Sequence, residues 1–411
     1  MTDFTVPDEI RQVTDALLAF VDREVLPLEA KHHDLINDPR EHFLPDGRYA
    51  PELLALRAEV RERSARAGFY TLFGSEELGG AGLGALAAAH IKEALYRHVG
   101  PARALVDDVV IPSPFTNGLT PILEHVRPEV RARYLADIAE GRTTLCFGLS
   151  EPDAGSDVYA VKTRATRTTG GWTINGTKQW ITNAPYADLA MIFAVTDPEA
   201  AKDRSGGITC FLVDTTAPGF EVTSVIPLMG HLGSDTGIIS LQDVTVPDEQ
   251  VIGEVNGGLR LALSGIGLGR LTMSANCVGL ARWALELAVS YAKTRVTFGR
   301  PIAEHQAVQT LLADMAIDIY AARNMVAHAA WLVDGGTFPI KESSMTKAFC
   351  TEMLFRVMDR AIQVHGAMGL TNEVRLEEGL RYARLYRIPD GTGEIQRRTV
   401  AKRLINGDLS F

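Results

Sequence analysis

The fold of this chain is decided at Phe147-Gly148-Leu149-Ser150-Glu151-Pro152-Asp153-Ala154-Gly155-Ser156-Asp157, where the sequence changes from helical to strand-like character. The segment leaves a short apolar strand and continues through small residues. Their backbone N–H groups and hydroxyls suit an anionic or heteroaromatic ligand. Local evidence alone favours a plainer interpretation, a turn followed by a helix N-cap. The choice between a ligand-binding loop and a simple turn therefore depends on the surrounding regions.

Three regions differ in their residue patterns. Residues 1–142 alternate helical patterns with Gly/Pro-rich breaks, residues 143–257 carry short apolar runs separated by turns, and residues 258–411 carry longer helical patterns. We expect an α+β multidomain fold with domains at these limits. They are an N-terminal helical domain, a middle antiparallel, barrel-like β domain and a C-terminal four-helix bundle.

Strands are predicted throughout the middle region. The run Gly171–Ile181 predicts a hairpin, because Asn175-Gly176 is a pair that favours the positive φ angles of a type I′ turn. Leu189–Val195 and Ile208–Val213 are further apolar strands, and Pro247 ends another because it cannot donate to a sheet.

Helices are predicted on both sides of the β domain. The N-terminal region has apolar residues at helical spacing in Glu9–Leu28, Pro51–Ala67 and Pro128–Ala139. The C-terminal region has four longer candidates: Met273–Lys293, Gln306–Leu332, Ser344–His365 and Val374–Tyr386. The first of these is apolar nearly all round, which is typical of a helix buried inside a bundle.

Composition excludes several classes of protein. The 411 residues carry a net charge of -10, which argues against nucleic acid as a partner. The four cysteines are scattered without CxxC spacing, as expected for reduced thiols. The N-terminus is acidic and lacks an apolar signal core, and no apolar stretch is long enough to span a membrane. We therefore expect a cytoplasmic protein.

Common catalytic motifs are either missing from the sequence or lack the secondary structure that they require. The run Gly82-Leu83-Gly84-Ala85-Leu86-Ala87 matches G-x-G-x-x-A but follows no strand, so it does not predict a dinucleotide site. The histidines form no H-x-x-x-H pair, so no metal is expected, and no G-x-S-x-G nucleophile elbow occurs.

Two further segments carry chemically active residues. Arg295-Val296-Thr297-Phe298-Gly299-Arg300 ends a long helix, and its arginines suit either a helix dipole or a diphosphate. Ile388-Pro389-Asp390-Gly391-Thr392-Gly393-Glu394-Ile395-Gln396-Arg397 places a carboxylate and a glycine before a helix N-terminus. On local evidence the second segment is a helix cap after an Asp-Gly turn.

Together these segments resemble the acyl-CoA dehydrogenase family. The resemblance covers the whole chain and includes, in family order, residues 147–157, Asn175–Asn183, Leu241–Pro247, Arg295–Gly299 with His305-Gln306, Gln363–Gly369 and Asp390–Arg397. It implies a helical domain, a β domain and a four-helix bundle, with FAD between the last two. Similar proteins are homotetramers or dimers in which a neighbouring subunit completes each FAD site.

The resemblance also implies which residues contact the cofactor. Those of the β domain are Phe147, Leu149, Ser150, Ser156, Trp180, Ile181 and Thr182, with the Thr182 hydroxyl near flavin N5. Those of the neighbouring subunit are Arg295, Thr297, Phe298, Gln306, Gln363, His365 and Gly366. Thr392 and Glu394 follow the catalytic carboxylate and also reach the cofactor.

In the family, a carboxylate removes the α-proton of an acyl-CoA while a hydride leaves the β-carbon for the flavin. Asp390 occupies the catalytic position here, where most members carry Glu. Ser156, Arg270 and Gly391 are expected to contact the substrate. The enolate oxygen is expected to be stabilised by a flavin hydroxyl and the backbone N–H of Asp390. Reduced flavin is expected to pass its electrons to an electron-transferring flavoprotein.

The chain departs from the family pattern near its substrate site. The Asp390 side chain is one methylene shorter than Glu, which is roughly 1.5 Å of reach. Some branches place the base beside the position of Arg270, but Gly269 stands there, so Asp390 is the one candidate base. Gly267 stands where several members carry an Asp that contacts CoA.

Other functions on the same fold stay open at this stage. A flavin oxidase of the nitroalkane-oxidase type uses an Asp base on a smaller carbon acid and reacts with oxygen. A non-catalytic subunit that binds FAD or acyl-CoA is the second alternative. A reductase that runs the same chemistry in the opposite direction differs only in its electron partner.

Overall fold

A computed structural model describes residues 5–101, 103–113, 117–229, 235–337 and 339–410. The chain forms two compact units. We call Met1–Phe20, Gly84–Arg103 and Gly267–Phe411 the bundle unit, and Val21–Leu83 with Ala104–Ile266 the sheet unit. The three domains with limits at 142/143 and 257/258 remain a prediction.

Within the described residues, the strands lie between α7 and α10, and helices occupy both ends of the chain. In chain order the helices are α1 (Asp8–Phe20), α2 (Leu26–Lys31), α3 (His33–Asn37), α4 (Pro39–His42), α5 (Pro51–Arg66), α6 (Ala85–Val99), α7 (Pro128–Ala139), α8 (Pro198–Lys202), α9 (Gly258–Thr294), α10 (Gln306–Asp334), α11 (Ile340–His365), α12 (Leu376–Tyr386) and α13 (Gly393–Ile405). The strands are β1 (Leu145–Gly148), β2 (Arg164–Thr168), β3 (Gly171–Thr182), β4 (Leu189–Val195), β5 (Ile208–Asp214), β6 (Phe220–Val225), β7 (Thr236–Pro247), β8 (Val251–Ile252), β9 (Val296–Thr297) and β10 (Arg300–Pro301). A π-helical turn at Val21–Val25 separates α1 from α2.

The sheet unit is built on one sheet with the strand order β6-β7-β3-β2-β4-β5-β8, and β1 pairs with β4. Its pairs are antiparallel except for β1 with β4 and β2 with β4. Both faces are covered, because alternate residues of β4 enter two different apolar clusters: Met191 and Phe193 enter one, Ala190 and Ile192 the other. This explains why β4 is apolar at every position.

The hairpin predicted at Asn175-Gly176 is wrong. Residues Gly171–Thr182 form one continuous strand, and the turn lies earlier, at Thr169-Gly170, where β2 meets β3. The pairing of β3 with β7 shifts register between Ile174 and Gly176, which identifies a bulge. The Asn175 side chain hydrogen-bonds Asp243 across the bulge in both directions, at 2.8 and 2.9 Å. A partner on the adjacent strand thus outweighs the local turn preference.

The bundle unit packs α11 against α10, α12 and α13 around an apolar core rich in alanine. The four helices predicted in this region correspond to α9 to α12, although α9 begins earlier, at Gly258, and α12 begins two residues later than predicted, at Leu376. Glycine lowers helix propensity, so the Gly265–Gly269 run concealed this start. A Cβ on Gly279 would lie 2.4 Å from the Glu93 carbonyl oxygen, so α6 and α9 approach closely there. Among the described residues, no helix combines the length and the apolar character that crossing a bilayer requires.

Candidate active site

Asp390 lies in a tight turn between α12 and α13. Its φ angle is +56°, and that of Gly391 is +90°, so two successive residues adopt left-handed backbone conformations. Aspartate tolerates this region better than most side chains, and glycine has no penalty there. The turn is thus one that the sequence Asp-Gly is suited to form.

The carbonyl oxygens of the turn are held by three side chains from three helices. Arg270 of α9 donates through Nε to the Asp390 carbonyl at 2.8 Å, and Lys347 of α11 donates through Nζ to the Gly391 carbonyl at 2.8 Å. Gln396 of α13 is fully buried and donates to both carbonyls, at 3.1 and 2.9 Å. The position of the turn therefore depends on the packing of the bundle unit.

The carboxyl group of Asp390 accepts no hydrogen bond from any described residue. The residue as a whole is half-buried, yet burial of the carboxyl group raises its pKa to about 6, against the opposing effects of Lys347 and Arg270. Burial also lowers the pKa of Arg270, and it lowers that of Lys347 to about 8. A carboxylate with a pKa near neutrality suits a general base.

The residues that follow the turn begin the last helix. The Thr392 hydroxyl caps α13 by accepting from the N–H of Ile395 at 3.4 Å. Glu394 is exposed, and its own backbone N–H and the Thr392 hydroxyl lower its pKa. Both residues therefore lie within a few positions of Asp390, as the sequence indicates.

In the sheet unit, the loop after β1 is anchored by a buried ion pair. The Lys178 ammonium donates to Glu151 at 2.7 Å and to the Leu149 carbonyl at 3.2 Å. Glu151 also accepts from the backbone N–H groups of Lys162 and Thr163, at 2.5 and 3.0 Å. Burial lowers the pKa of Lys178 to about 8. Burial raises the pKa of Glu151, but Lys178 and the other donors outweigh it and lower that pKa.

Part of the predicted set in the β domain lies close together. Ser150 accepts a hydrogen bond from the N–H of Gln179 at 3.0 Å, so the loop lies along β3 beside Trp180. Phe147 lies against Phe193, with ring centroids 4.8 Å apart. Leu149 is buried, whereas the Ser156 side chain is exposed.

The end of β3 exposes an aromatic side chain. A second register shift between Lys178 and Ile181 coincides with a φ of +65° at Trp180. Trp180 is 52% exposed, and Thr182 is also exposed, whereas Ile181 between them is buried in the core. Trp180 and Thr182 thus face away from the core, and Ile181 is placed to support them by packing.

The residues assigned to the neighbouring subunit lie at one end of the bundle unit. The hairpin of β9 and β10 carries Phe298, which is 97% exposed, and the Thr297 hydroxyl lies 3.4 Å from His305 Nε2. Arg295 and Gln306 are exposed on either side of the hairpin. Nearby, the buried His365 ring stacks on Tyr291 with centroids 4.5 Å apart.

The Gln363–Gly366 segment surrounds the end of α11. His365 Nδ1 lies 2.8 Å from the Ala361 carbonyl oxygen. Gln363 and Gly366 are exposed, and Gly366 has a φ of +60° with no atom within 4 Å of where a Cβ would stand. The space beside Gly366 is therefore open.

Three features of these sites were not predicted from the sequence: Lys347, Gln396 and the Glu151–Lys178 pair. A signal for Lys347 was present, because it continues the stripe formed by Cys350, Leu354 and Val357, where an apolar residue is expected. A charged residue in such a stripe indicates a buried polar partner. The partner could not be found from the sequence, since Gly391 lies 44 positions away.

Three family models of acyl-CoA dehydrogenases match almost the whole chain: the N-terminal domain at residues 7–142, the middle domain at residues 146–244 and the C-terminal domain at residues 256–405. The chain belongs to the acyl-CoA dehydrogenase family. Both the predicted family and the predicted fold class are confirmed.

Individual relatives cover most of the chain. The mitochondrial short-chain specific acyl-CoA dehydrogenase of Homo sapiens is 34% identical over 97% of this chain and 91% of its own. A subunit of the caffeyl-CoA reductase-Etf complex of Acetobacterium woodii is 34% identical over 84% of this chain and 89% of its own. Among solved structures, an FAD complex of PigA matches with a TM-score of 0.83 at 27% identity, covering 98% of this chain and 99% of that one.

Proposed function

We propose that this chain is an FAD-dependent dehydrogenase that introduces an α,β double bond into an acyl-CoA thioester, with Asp390 removing the α-proton. The observation that carries the proposal is the state of Asp390. Its carboxyl group accepts no hydrogen bond from the described residues, and its pKa is raised to about 6. Such a carboxylate is ionised at neutral pH yet retains enough basicity to accept a proton.

The backbone of the same residue supports the reaction. An α-proton next to a thioester is only weakly acidic, so the developing enolate oxygen needs a hydrogen-bond donor. The Asp390 N–H donates to no acceptor within the described part of the chain, whereas the Asp390 carbonyl is held by Arg270 and Gln396. The turn thus leaves a proton acceptor and an oxyanion donor of one residue free for substrate.

Because the Asp390 side chain is short, its backbone has to be held close to the substrate. Positioning errors of about 1 Å can cost on the order of a hundredfold in rate. The left-handed turn and its three side-chain donors hold the backbone in one arrangement. Arg270 and Gly391 belong to this arrangement, and we assign them to substrate contact together with Ser156.

The sheet unit has groups that suit FAD. The exposed Trp180 ring offers a stacking surface, and the exposed Thr182 and Ser156 hydroxyls donate to no described residue. The loop with Leu149 and Ser150 is rigidly anchored by the Glu151–Lys178 pair. These residues would hold FAD, which would supply the hydride acceptor for the reaction.

The remaining cofactor residues support a homo-oligomer. Arg295, Thr297 and Gln306 cluster around Phe298, whose ring is almost wholly exposed. Val296 on the same hairpin is also exposed, and adjoining exposed apolar side chains are typical of a contact surface. We assign Arg295, Thr297, Phe298 and Gln306, with Gln363, His365 and Gly366, to the FAD of a neighbouring subunit in a dimer or tetramer. Thr392 and Glu394, which follow the catalytic carboxylate, are assigned to FAD separately.

The electrons leave through a protein partner. We assign an electron-transferring flavoprotein to this role, supported by the relative in Acetobacterium woodii that belongs to a reductase-Etf complex. The four cysteines are buried and unpaired, which supports a reducing compartment such as the cytoplasm.

The proposal is tested with a panel of acyl-CoA substrates and a dye electron acceptor. Wild type should reduce its flavin anaerobically with at least one acyl-CoA, and Asp390→Asn should lose about a hundredfold or more of turnover with FAD retained. Asp408→Asn is the matched control, because Asp408 lies in the same unit, bonded to Lys341. Unchanged turnover in Asp390→Asn contradicts the assignment of the base. A flavin that no acyl-CoA reduces indicates a binding subunit, and rapid reoxidation by air indicates an oxidase.

A further inference from the structure

Lys347 combines full burial with a position next to the turn of Asp390. Its ammonium group donates to the Gly391 carbonyl at 2.8 Å, and no residue in the described ranges forms a salt bridge with it. A buried cation without a salt bridge is costly, so its retention at a core position requires a compensating interaction. Burial lowers the pKa of Lys347 and the Asp390 carboxylate opposes this; burial raises the pKa of Asp390 and the Lys347 ammonium opposes that.

We propose that Lys347 is a positioning residue for proton abstraction, which anchors the Gly391 carbonyl and stabilises the ionised carboxylate of Asp390 with its charge. This inference rests on the proposed role of Asp390 as the base. It goes beyond that role because it assigns control of the base to a second residue, one that is buried and donates to the adjacent Gly391 carbonyl.

The other charged and titratable groups around the pair support this assignment. Arg270 and Cys277 face Lys347 from α9, and Glu394 does so from α13. Cys277 and Cys350 are neutral at physiological pH, because burial raises the pKa of each thiol. Arg270 keeps its charge at all accessible pH values, so Lys347 is the cation beside Asp390 that titrates, with a pKa of about 8.

The charge of Lys347 should therefore appear in the pH dependence. Lys347→Gln keeps a donor for the Gly391 carbonyl but removes the charge, whereas Lys347→Met removes both. Without the cation, the carboxylate loses stabilisation and its pKa should rise by about one unit. The inflection of the kcat/KM profile on its acidic side should shift upward by the same amount, which is about a tenfold loss of kcat/KM at about pH 5 and below. Above pH 8, where wild-type Lys347 has itself lost its proton, Lys347→Gln and wild type should converge.

Lys341 supplies the matched control. It lies on the same helix and is equally buried, but it donates to Asp408 at 2.7 Å instead of to the turn. Lys341→Gln should therefore lower thermal stability without shifting the acidic inflection of the kcat/KM profile.

A direct measurement separates this inference from the proposed function. The flavin-loaded protein without substrate is labelled with ¹³C-aspartate, and the Asp390 carboxyl signal, assigned by its loss in Asp390→Asn, is titrated in each variant. The inference is supported if Lys347→Gln and Lys347→Met raise the pKa of that carboxyl and Lys341→Gln does not. It is overturned if Lys347→Gln leaves the pKa in place. If the Lys347 variants do not fold, the wild-type titration tests the inference. The Asp390 signal should then show a second inflection near pH 8, where Lys347 loses its proton, and a titration without this inflection rejects the coupling. Because the titration needs no substrate, it tests this inference even if the protein turns over no acyl-CoA.

Discussion

The carbonyl oxygen of Asp390 accepts a hydrogen bond of 2.8 Å from Nε of Arg270. The arginine stands on α9 and the aspartate follows α12, so two helices that are distant in sequence together set the direction of the turn. Gln396 and Lys347 hold the adjacent peptide from α13 and α11. Because the backbone carbonyls take all these bonds, the carboxyl group of Asp390 stays available for chemistry.

Gly391→Ala should abolish most of the turnover. The φ angle of Gly391 is +90°, and an added Cβ would lie 2.8 Å from Nε2 of Gln396 and 3.3 Å from a terminal nitrogen of Arg270. The control is Gly407→Ala, with the same φ but no atom within 4 Å of the new Cβ. It should lose only about 1 kcal/mol for the left-handed backbone and keep its turnover. Steady-state kinetics and thermal unfolding compare the two, and equal kinetics would disprove the importance of the turn.

The rate should depend on pH through Asp390. Only the ionised carboxylate accepts a proton, and burial raises its pKa to about 6. We expect kcat/KM to rise about tenfold per pH unit below that value and to level off above it. A dye-coupled assay between pH 5 and pH 9 measures how kcat/KM changes with pH. A profile that shows no change of slope near pH 6 would assign proton abstraction to another group.

Lys178→Met should destabilise the sheet unit and release the loop after β1. The substitution leaves the Glu151 carboxylate buried without its cation, which typically costs about 3–5 kcal/mol. Chemical denaturation measures the stability, and flavin content after dialysis measures the effect on the cofactor loop. Lys162→Met is the control, because the Lys162–Asp153 pair beside the same loop is exposed and should contribute little. Equal losses in the two variants would contradict a special role for the buried pair.

Phe298→Ala should weaken flavin retention and subunit association while leaving the fold of the chain intact. The Phe298 side chain is 97% exposed, so its removal costs little packing within the chain. Ile405→Ala is the control, since Ile405 is 84% exposed on α13 outside the predicted cofactor set. Flavin fluorescence after gel filtration and the sedimentation coefficient report both effects. If the Phe298 variant retains flavin and assembles like the control, the hairpin serves no neighbouring subunit.

Local turn preferences predicted one turn correctly and gave a wrong prediction at one strand. Asp390-Gly391 was recognisable because both residues suit a left-handed turn, and the structure has that turn. Asn175-Gly176 carries an equally strong turn signal, yet it lies within a continuous strand, because Asp243 on β7 engages the Asn175 side chain. The same kind of dipeptide therefore behaves differently according to what lies across from it.

By itself, the sequence determined the class of fold, because apolar periodicity reflects interactions between near neighbours in the chain, and its motifs indicated the family and the candidate base through their resemblance to acyl-CoA dehydrogenases. Tertiary structure alone decided what surrounds that base. Lys347, Gln396 and Arg270 converge on two carbonyl groups from three different helices. Burial and electrostatic shifts depend on such distances in space, and spacing along the chain does not encode them.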